Sequence, residues 1–279
     1  MVTDIETRIR DYYADFGGRE AILAALAKRG IPLQGLTPDQ LAPFDQFHTG
    51  GAIATRRLAD VLAPRTTDRI LDLGCGLGGP TRMLSALKGC RATGVDLTSQ
   101  FIESATHFAR LTGQSESVDF HQASVLALPF TEEVFDGAWH LHLSMNVADK
   151  STMYREIFRV LIPGGRLIIY DPLRGSLSNL VFPVPWAPTP ESSFLQTREE
   201  MLACLVATGF EIVEVNDGTE EALAWFAQMS AARRKSTKTK HKSMSSRTLL
   251  PLEIMARNHR TNLQSGAVTI ATIFARKPS

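Results

Sequence analysis

The first sixty positions carry apolar residues at helical spacing. Ile5 and Ile9 fall on one face of a first segment, and residues 21–29 form a second segment. The run Thr37-Pro38-Asp39-Gln40 has the cap, the proline and the glutamine of a helix start. Another helical pattern ends near Leu62. We therefore expect an N-terminal group of helices.

The pattern changes at residue 68, where short apolar runs begin to alternate with helical segments. The predicted strands cover residues 68–73, 91–95, 118–121, 135–141, 166–170, 210–215 and 268–275. Strands that alternate with helices form a parallel sheet with right-handed crossovers. The sequence therefore predicts an α/β fold.

Two segments depart from this alternation. Residues 174–195 are rich in proline and have no clear period, and residues 218–267 separate the last two strands. Within the second segment, residues 233–247 hold seven Lys or Arg and no acid. A solvated loop, an anion-binding patch and a nucleic-acid contact are the three readings. The last is disfavoured because no aromatic residues are interleaved for base stacking.

Composition excludes several classes of protein. Lys and Arg number 30 against 29 Asp and Glu, so a net charge of +1 gives no overall affinity for nucleic acid or anionic membrane. Cys75, Cys90 and Cys204 are widely spaced and form no CxxC pair, which argues against a disulfide framework or a cysteine zinc site. The N-terminus lacks the apolar core of a secretory signal, and no stretch is apolar enough to span a bilayer. We expect a cytoplasmic protein.

A glycine-rich loop, residues 74–79, follows the first strand and opens a helix. Glycine is needed where the backbone turns sharply and approaches a ligand closely. Asp96 ends the next strand, where a carboxylate can bind ribose hydroxyls. The loop also satisfies GxGxxG, so a dinucleotide site is an alternative. Asp72 beside the loop disfavours a pyrophosphate and suits a ligand that carries an ammonium or sulfonium group.

These residues resemble the class I S-adenosylmethionine-dependent methyltransferases. The resemblance is carried by residues 70–79, Gly94-Val95-Asp96, Leu128-Pro129-Phe130, Phe135-Asp136 and residues 159–165, and it covers residues 50–217 and the last strand. Within the class, the chain is most similar to the small-molecule branch that holds sarcosine/dimethylglycine N-methyltransferases and tocopherol and quinone C-methyltransferases. The motifs are specific for the cofactor and say little about the substrate.

The resemblance implies a set of contacts to S-adenosylmethionine. The implied cofactor-binding residues are Asp72, Gly74, Cys75, Gly76, Gly78, Asp96, Leu97, Gln100, Ser124, Val125 and His140, with Gln46 and His48 from the N-terminal helices. Asp96 would hold the ribose and Leu97 would pack on the adenine. Family members usually carry Asp where this chain has Ser124, and that Asp accepts a hydrogen bond from the adenine amino group. A serine can accept the same bond, but without a charge.

The catalytic candidates are His140 and His142, near the end of the fourth strand. Ligands of open α/β sheets bind at the carboxyl ends of strands. If the strand persists, side chains two residues apart point the same way and can flank a nucleophile, one of them acting as a base. The alternative is that both are structural. No metal site is expected, because no Asp, Glu or Cys lies at matching spacing.

Acceptor contacts are expected from Met145, Asn146 and Trp186. Residues 174–195, including Trp186, look like a lid over the acceptor, although a packing cluster explains them equally well. His48 has a similar alternative, a plain turn before a helix.

These expectations combine into one architecture: a Rossmann-like, seven-stranded, mostly parallel sheet with helices on both faces. Residues 1–60 form a helical cap, residues 61–217 and 268–279 bind the cofactor, and residues 218–267 are a helical and basic insert. The expected reaction is methylation of a small metabolite at an amine nitrogen. The alternatives are methylation at carbon or oxygen in a natural-product or quinone pathway, an NAD-linked oxidoreductase, and a non-catalytic binder. The partner is a small-molecule acceptor, and the sequence leaves the oligomeric state open, a homodimer included.

Overall fold

The computed structural model describes residues 3–14, 18–177, 179–237 and 246–279. These residues form one seven-stranded sheet and ten α-helices. The strands are β1 (Arg69–Leu73), β2 (Arg91–Asp96), β3 (Val118–Gln122), β4 (Phe135–Leu141), β5 (Leu161–Arg174), β6 (Glu211–Asp217) and β7 (Val268–Arg276). The helices are α1 (Asp4–Ala14), α2 (Arg19–Lys28), α3 (Pro38–Asp45), α4 (Gly51–Leu62), α5 (Gly79–Lys88), α6 (Ser99–Leu111), α7 (Lys150–Val160), α8 (Arg198–Thr208), α9 (Thr219–Thr237) and α10 (Ser246–Ser265).

The strands lie in the order β3-β2-β1-β4-β5-β7-β6. Neighbouring strands from β3 to β5 are parallel, and β7 runs antiparallel to both β5 and β6. The predicted Rossmann-like, mostly parallel sheet is confirmed. Because parallel strands point the same way, β1 to β4 end at one edge of the sheet, and the loops that follow them meet there.

Both faces of the central strands β1, β4 and β7 are buried, as their near-continuous apolar residues require. Leu71 and Leu73 of β1 pack in one cluster with Ile157 of α7. Ile70, the residue before Leu71, packs on the opposite face against Leu62 of α4. No helix among the described residues has the length and apolarity needed to cross a bilayer.

Two helix starts follow the capping pattern read from the sequence. The Thr37 hydroxyl accepts a hydrogen bond from the backbone N–H of Gln40, whose side chain caps the Thr37 N–H in return. Thr197 and Glu200 form the same reciprocal cap on α8. Each box satisfies backbone donors that a helix start would leave unpaired.

The N-terminal helices pack on the side of the sheet edge that carries the glycine loop. Leu26 of α2 and Leu41 of α3 are buried in a cluster with Leu77 of the loop and Phe108 of α6. This packing places the residues after α3 beside the loop.

Helices α9 and α10 fill the segment between β6 and β7. Asn262 of α10 donates a hydrogen bond to the carbonyl of Val181 (3.0 Å) and accepts one from its N–H (2.8 Å), which fastens α10 to the proline-rich segment. Residues 238–245 of the basic run lie outside the described residues. The domain boundaries stay predictions.

Candidate functional site

The glycine loop turns sharply between β1 and α5. Gly74, Gly76 and Gly78 all have positive φ, at 69°, 54° and 72°. A Cβ on Gly74 would lie 2.8 Å from the Leu143 side chain, and one on Gly78 would lie 2.5 Å from the Phe120 ring. Other residues would be strained and would clash, so the sequence keeps glycine here. The Leu143 contact sets the loop directly against the segment that follows β4.

Asp96, at the end of β2, holds the loop in shape. Its carboxylate accepts hydrogen bonds from the backbone N–H of Gly76 at 3.0 Å and of Thr98 at 2.9 Å. Burial raises the pKa of Asp96, and these hydrogen bonds oppose that shift. The Thr98 side chain and the Leu97 backbone also hydrogen-bond to this carboxylate. The ribose contact expected from Asp96 fits this geometry and stays a prediction.

Asp72 belongs to β1, and its side chain points to α5 rather than into the glycine loop. The carboxylate accepts a hydrogen bond from the Thr81 hydroxyl at 2.6 Å, and the side chain is buried. Burial raises its pKa to about 7. Asp72 therefore ties β1 to the first turns of α5, and the expected direct contact with the cofactor stays a prediction. The neighbouring Cys75 thiol is also buried, with a raised pKa, and serves as a small residue of the loop.

His140 and His142 do not share a face, and the expectation that they flank one nucleophile is wrong. Strand β4 ends at Leu141, and His142 adopts the left-handed region with φ of 56°, so the alternation stops between them. His140 is fully buried against Tyr154 of α7, with its Nδ1 3.3 Å from Asp171. His140 is therefore a buried core residue, and it pairs in the sheet with Leu73, directly before the glycine loop. Its roles in catalysis and cofactor binding stay predictions.

Asp171 of β5 supports the turn that carries His142. Its carboxylate accepts hydrogen bonds from the backbone N–H of Leu143 (2.9 Å) and of Ser144 (3.0 Å). Burial alone would raise the pKa of Asp171, but His140 and these bonds lower it to about 2. An ionised carboxylate thus fixes the backbone at a strained residue, and such residues are frequent at functional sites.

His142 lies in a cluster with two other histidines. Its ring centroid is 6.2 Å from that of His48 and 6.4 Å from that of His259 of α10, and the Tyr170 ring lies 5.5 Å away. The His142 Nε2 and the His259 Nδ1 are buried without a hydrogen-bond partner. Unpaired buried polar atoms are costly, so we expect an ordered water or a bound group to pair them. We call His48, His142 and His259 the histidine cluster.

All three histidines are neutral near pH 7. Burial lowers the pKa of His48 and of His259 to about 4. The pKa of His142 is well below its ordinary value, chiefly through burial and then through its two histidine neighbours. Among the described residues, no group of three or more His, Cys, Asp or Glu has a metal-binding arrangement. The cluster therefore presents three uncharged rings.

His48 and Gln46 occupy the turn between α3 and α4. The His48 Nε2–H donates to the Gly51 carbonyl at 3.0 Å, which leaves Nδ1 as the acceptor. The side-chain oxygen of Gln46 accepts a hydrogen bond from the Thr55 hydroxyl at 2.6 Å. The buried amide nitrogen of Gln46 has no hydrogen-bond partner. His48 shapes the turn, and its ring also belongs to the histidine cluster. Their expected contacts with the cofactor stay predictions.

The side expected to hold the adenine lies after β2 and β3. Leu97 and Gln100 lead into α6, and the Leu97 carbonyl accepts from Gln122 at 3.2 Å. Val125 packs at the margin of the core. The Ser124 hydroxyl accepts from the Leu126 N–H at 3.0 Å and donates to Glu6 of α1. This link between α1 and the strand ends joins positions 118 residues apart.

Helix α1 also closes over the acceptor candidates. The Asn146 amide donates to the Tyr13 hydroxyl at 2.9 Å, and the Met145 carbonyl accepts from the Phe194 N–H at 2.8 Å. Trp186 is buried, and its ring lies 5.1 Å from that of His259, measured between centroids. Trp186 therefore lies beside the histidine cluster, whereas Asn146 and Met145 contact α1 and Phe194. That these three residues contact an acceptor stays a prediction.

A cavity of about 230 Å³ adjoins this group. It lies between α1 and the segment after Trp186, with Arg8 and Glu191 among its polar residues. Its apolar lining comes from Ile5, Ile9, Tyr12, Trp186, Pro188 and Phe194. Trp186 thus separates the histidine cluster from a mainly apolar space.

Sequence reasoning missed three features of the site: the pairing of Asp45 with Arg82, the place of His259, and the contact of Glu6 with Ser124. The Asp45 and Arg82 side chains are fully buried, with 2.6 Å between Oδ2 and Nη2. Helical spacing relates residues within one helix, whereas each of these features joins residues from separate elements. The unusual presence of an acid at position 45, at the end of an amphipathic helix, was the only local signal.

Comparison with known proteins identifies the central part of the chain. Residues 71–169 match the methyltransferase domain family. The chain carries a methyltransferase domain. The predicted resemblance is thereby confirmed, and the match spans β1 to β5 with the glycine loop, Asp96 and His142.

Relatives and solved structures agree with this family. The chain is 34% identical to 27-O-demethylrifamycin SV methyltransferase from Amycolatopsis mediterranei over 137 aligned residues. This alignment covers 49% of each chain. The structure is similar to Haemonchus contortus phosphoethanolamine N-methyltransferase 2 in complex with S-adenosyl-L-methionine, with a TM-score of 0.78, 18% identity, and 97% of this chain and 60% of that one covered. It is also similar to geranyl diphosphate C-methyltransferase from Streptomyces coelicolor, with a TM-score of 0.72 and 18% identity. The superposition covers 99% of this chain and 98% of that one. The chain spans about half the length of the curated relatives that it matches.

Proposed function

We propose that the chain transfers a methyl group from S-adenosylmethionine to a small molecule bound against the histidine cluster. One observation carries the proposal. The glycine loop touches the segment after β4 through Leu143, so this loop, the proposed cofactor cradle, and the unpaired nitrogen of His142 lie on either side of one contact. A donor and an acceptor held there would be neighbours.

The cradle fits a nucleoside that carries a charged sulfur. The loop has no side chains at Gly74, Gly76 and Gly78, and Asp96 places a carboxylate beside it that can accept from ribose hydroxyls. Phe47, which is 58% exposed, lies near Gly76 and can cover a bound ligand. When bound, S-adenosylmethionine supplies an electrophilic methyl group with a good leaving group.

On the acceptor side, the residue proposed to act is His142. Methyl transfer gains most from alignment, and a base is needed only when the nucleophile arrives with a proton. A neutral His142 Nε2 can accept that proton from an ammonium or a hydroxyl group. His48 and His259 complete the wall of the site without adding charge.

We propose an amine nitrogen as the acceptor atom, as the sequence resemblance implies. Support comes from the similarity to a phosphoethanolamine N-methyltransferase. Oxygen is the second candidate, because the cluster is neutral and Asp171 is already engaged by two backbone N–H groups, so little negative charge is free to hold an ammonium. The apolar cavity beside Trp186 can take the remainder of either acceptor.

The proposal is tested by incubating the protein and S-adenosylmethionine with a panel of amines, phenols, thiols and carboxylic acids. We expect S-adenosylhomocysteine to form with at least one class, and mass spectrometry of the product identifies the methylated atom. His142→Gln is the matched variant that should fail with the same acceptor. Cofactor binding without turnover across a broad panel would favour a non-catalytic binder.

A further inference from the structure

We propose that Glu6, on the N-terminal helix, accepts a hydrogen bond from the exocyclic amino group of the bound adenine. The inference rests on the proposed function, because it assumes an adenosyl cofactor. It concerns a residue outside the matched methyltransferase domain, which begins at residue 71. The starting observation is the hydrogen bond between the Glu6 carboxylate and the Ser124 hydroxyl.

The order of the strand ends places the adenine. From the edge inward, the sheet runs β3, β2, β1 and β4. His142 follows β4, the glycine loop follows β1, and Asp96 ends β2. If the methyl group faces His142 and the ribose lies at Asp96, the base extends past β2 to the end of β3. Ser124 lies two residues after β3 and therefore borders the base.

Ser124 is already committed to other partners. Its hydroxyl hydrogen goes to Glu6, and its oxygen accepts from the Leu126 N–H at 3.0 Å. Serine supplies no charge, and a single hydroxyl is a weak partner for an amino group that must leave water. Glu6 brings a carboxylate to the same place.

Glu6 has acceptor capacity to spare. One carboxylate oxygen accepts from Ser124, and the other accepts from the Thr3 N–H at 2.7 Å within the cap of α1. Two of about four acceptor positions therefore remain. The side chain is half-buried, which strengthens a charge-assisted bond relative to one in open water.

This arrangement links cofactor recognition to the docking of α1. Glu6 reaches the adenine side and Tyr13 reaches Asn146 on the acceptor side, so one helix bridges both halves of the site. A cofactor that bonds Glu6 would hold α1 over the site.

The test pairs a residue change with a ligand change in calorimetric titrations. The ligands are S-adenosylhomocysteine and its analogue with an unsubstituted purine, which lacks the amino group. We expect Glu6→Gln to weaken S-adenosylhomocysteine binding about fivefold, because the amide oxygen still accepts a hydrogen bond but without the charge that strengthens it. The same variant should bind the purine analogue within about twofold of the wild-type protein.

Two further variants separate recognition from support of the fold. Asp4→Asn removes an equal charge from the same turn of α1 and should leave both affinities unchanged. Ser124→Asp should restore S-adenosylhomocysteine binding in the Glu6→Gln background, because it returns a carboxylate to the end of β3. In the wild-type background, Ser124→Asp sets two carboxylates side by side and should weaken α1 docking.

The outcomes are distinct. An equal loss of affinity for both ligands in Glu6→Gln would show that Glu6 only supports α1, and would overturn the inference. No binding of S-adenosylhomocysteine to the wild-type protein would instead overturn the proposed function. Thermal unfolding of each variant checks that the fold persists.

Discussion

Arg82 connects the glycine loop, the N-terminal helices and α6, and its removal is the sharpest test of how the site is held. Its guanidinium donates to Asp45 at 2.6 Å, to the Leu77 carbonyl at 2.8 Å and to the Ala105 carbonyl at 3.2 Å. Burial lowers the pKa of Arg82 and raises that of Asp45, while each charge opposes the shift of the other. The pair is therefore an ion pair that depends on both members.

Arg82→Met leaves the Asp45 carboxylate buried without its partner. Breaking a buried pair in this way costs about 3–5 kcal/mol. Two carbonyls also lose a donor, so the upper part of that range is expected. Asp45→Asn together with Arg82→Met removes both charges and should recover much of the loss.

The assay is urea unfolding, with Lys88→Met as the matched control on the same helix. Lys88 pairs with Asp60 at 2.6 Å, but the Asp60 side chain is 76% exposed, and such pairs contribute about 0–1 kcal/mol. The midpoint should fall strongly for Arg82→Met with an unchanged slope. If Arg82→Met and Lys88→Met lower the free energy of unfolding by the same small amount, the Asp45–Arg82 ion pair does not stabilise the site.

Three further predictions concern the site. Asp96→Ala should weaken S-adenosylmethionine binding at least about tenfold in calorimetry, because hydrogen bonds to a charged group are lost; unchanged affinity would show that the cofactor lies elsewhere. His142→Gln should lower turnover about a hundredfold or more with cofactor affinity kept, whereas His140→Gln should mainly lower stability; the reverse pattern would restore His140 as the base. Because the pKa of His142 is well below 6.5, its neutral form persists from pH 8 to below pH 6.5, and kcat/KM should fall only as the pH drops further. With an acceptor that does not itself titrate in this range, a rate that falls between pH 8 and 6.5 would contradict a neutral His142.

The sequence predicts the elements that depend on local patterns. The seven strands, the glycine loop and the capping boxes at Thr37 and Thr197 each follow from spacing within a few residues. Asp96 falls at the end of its strand for the same reason. Local periodicity also suggested one shared face for His140 and His142, and this failed because the strand ends one residue earlier than His142.

The remaining features depend on tertiary contacts that no local pattern encodes. Asp45 and Arg82 are 37 residues apart, and Glu6 and Ser124 are 118 apart. His259 enters the cluster only because α10 packs beside the sheet, where it meets Thr49 at 3.2 Å across 210 residues. Which polar groups converge is decided by how the helices pack, and a single sequence carries little record of it.

The central claim is that the loop after β1 and Asp96 bind S-adenosylmethionine rather than a dinucleotide. Parallel calorimetric titrations of the same protein with S-adenosylmethionine and with NAD test it directly. We expect saturable binding of S-adenosylmethionine at a one-to-one ratio and no saturable heat with NAD. Saturable binding of NAD with none of S-adenosylmethionine would contradict the account.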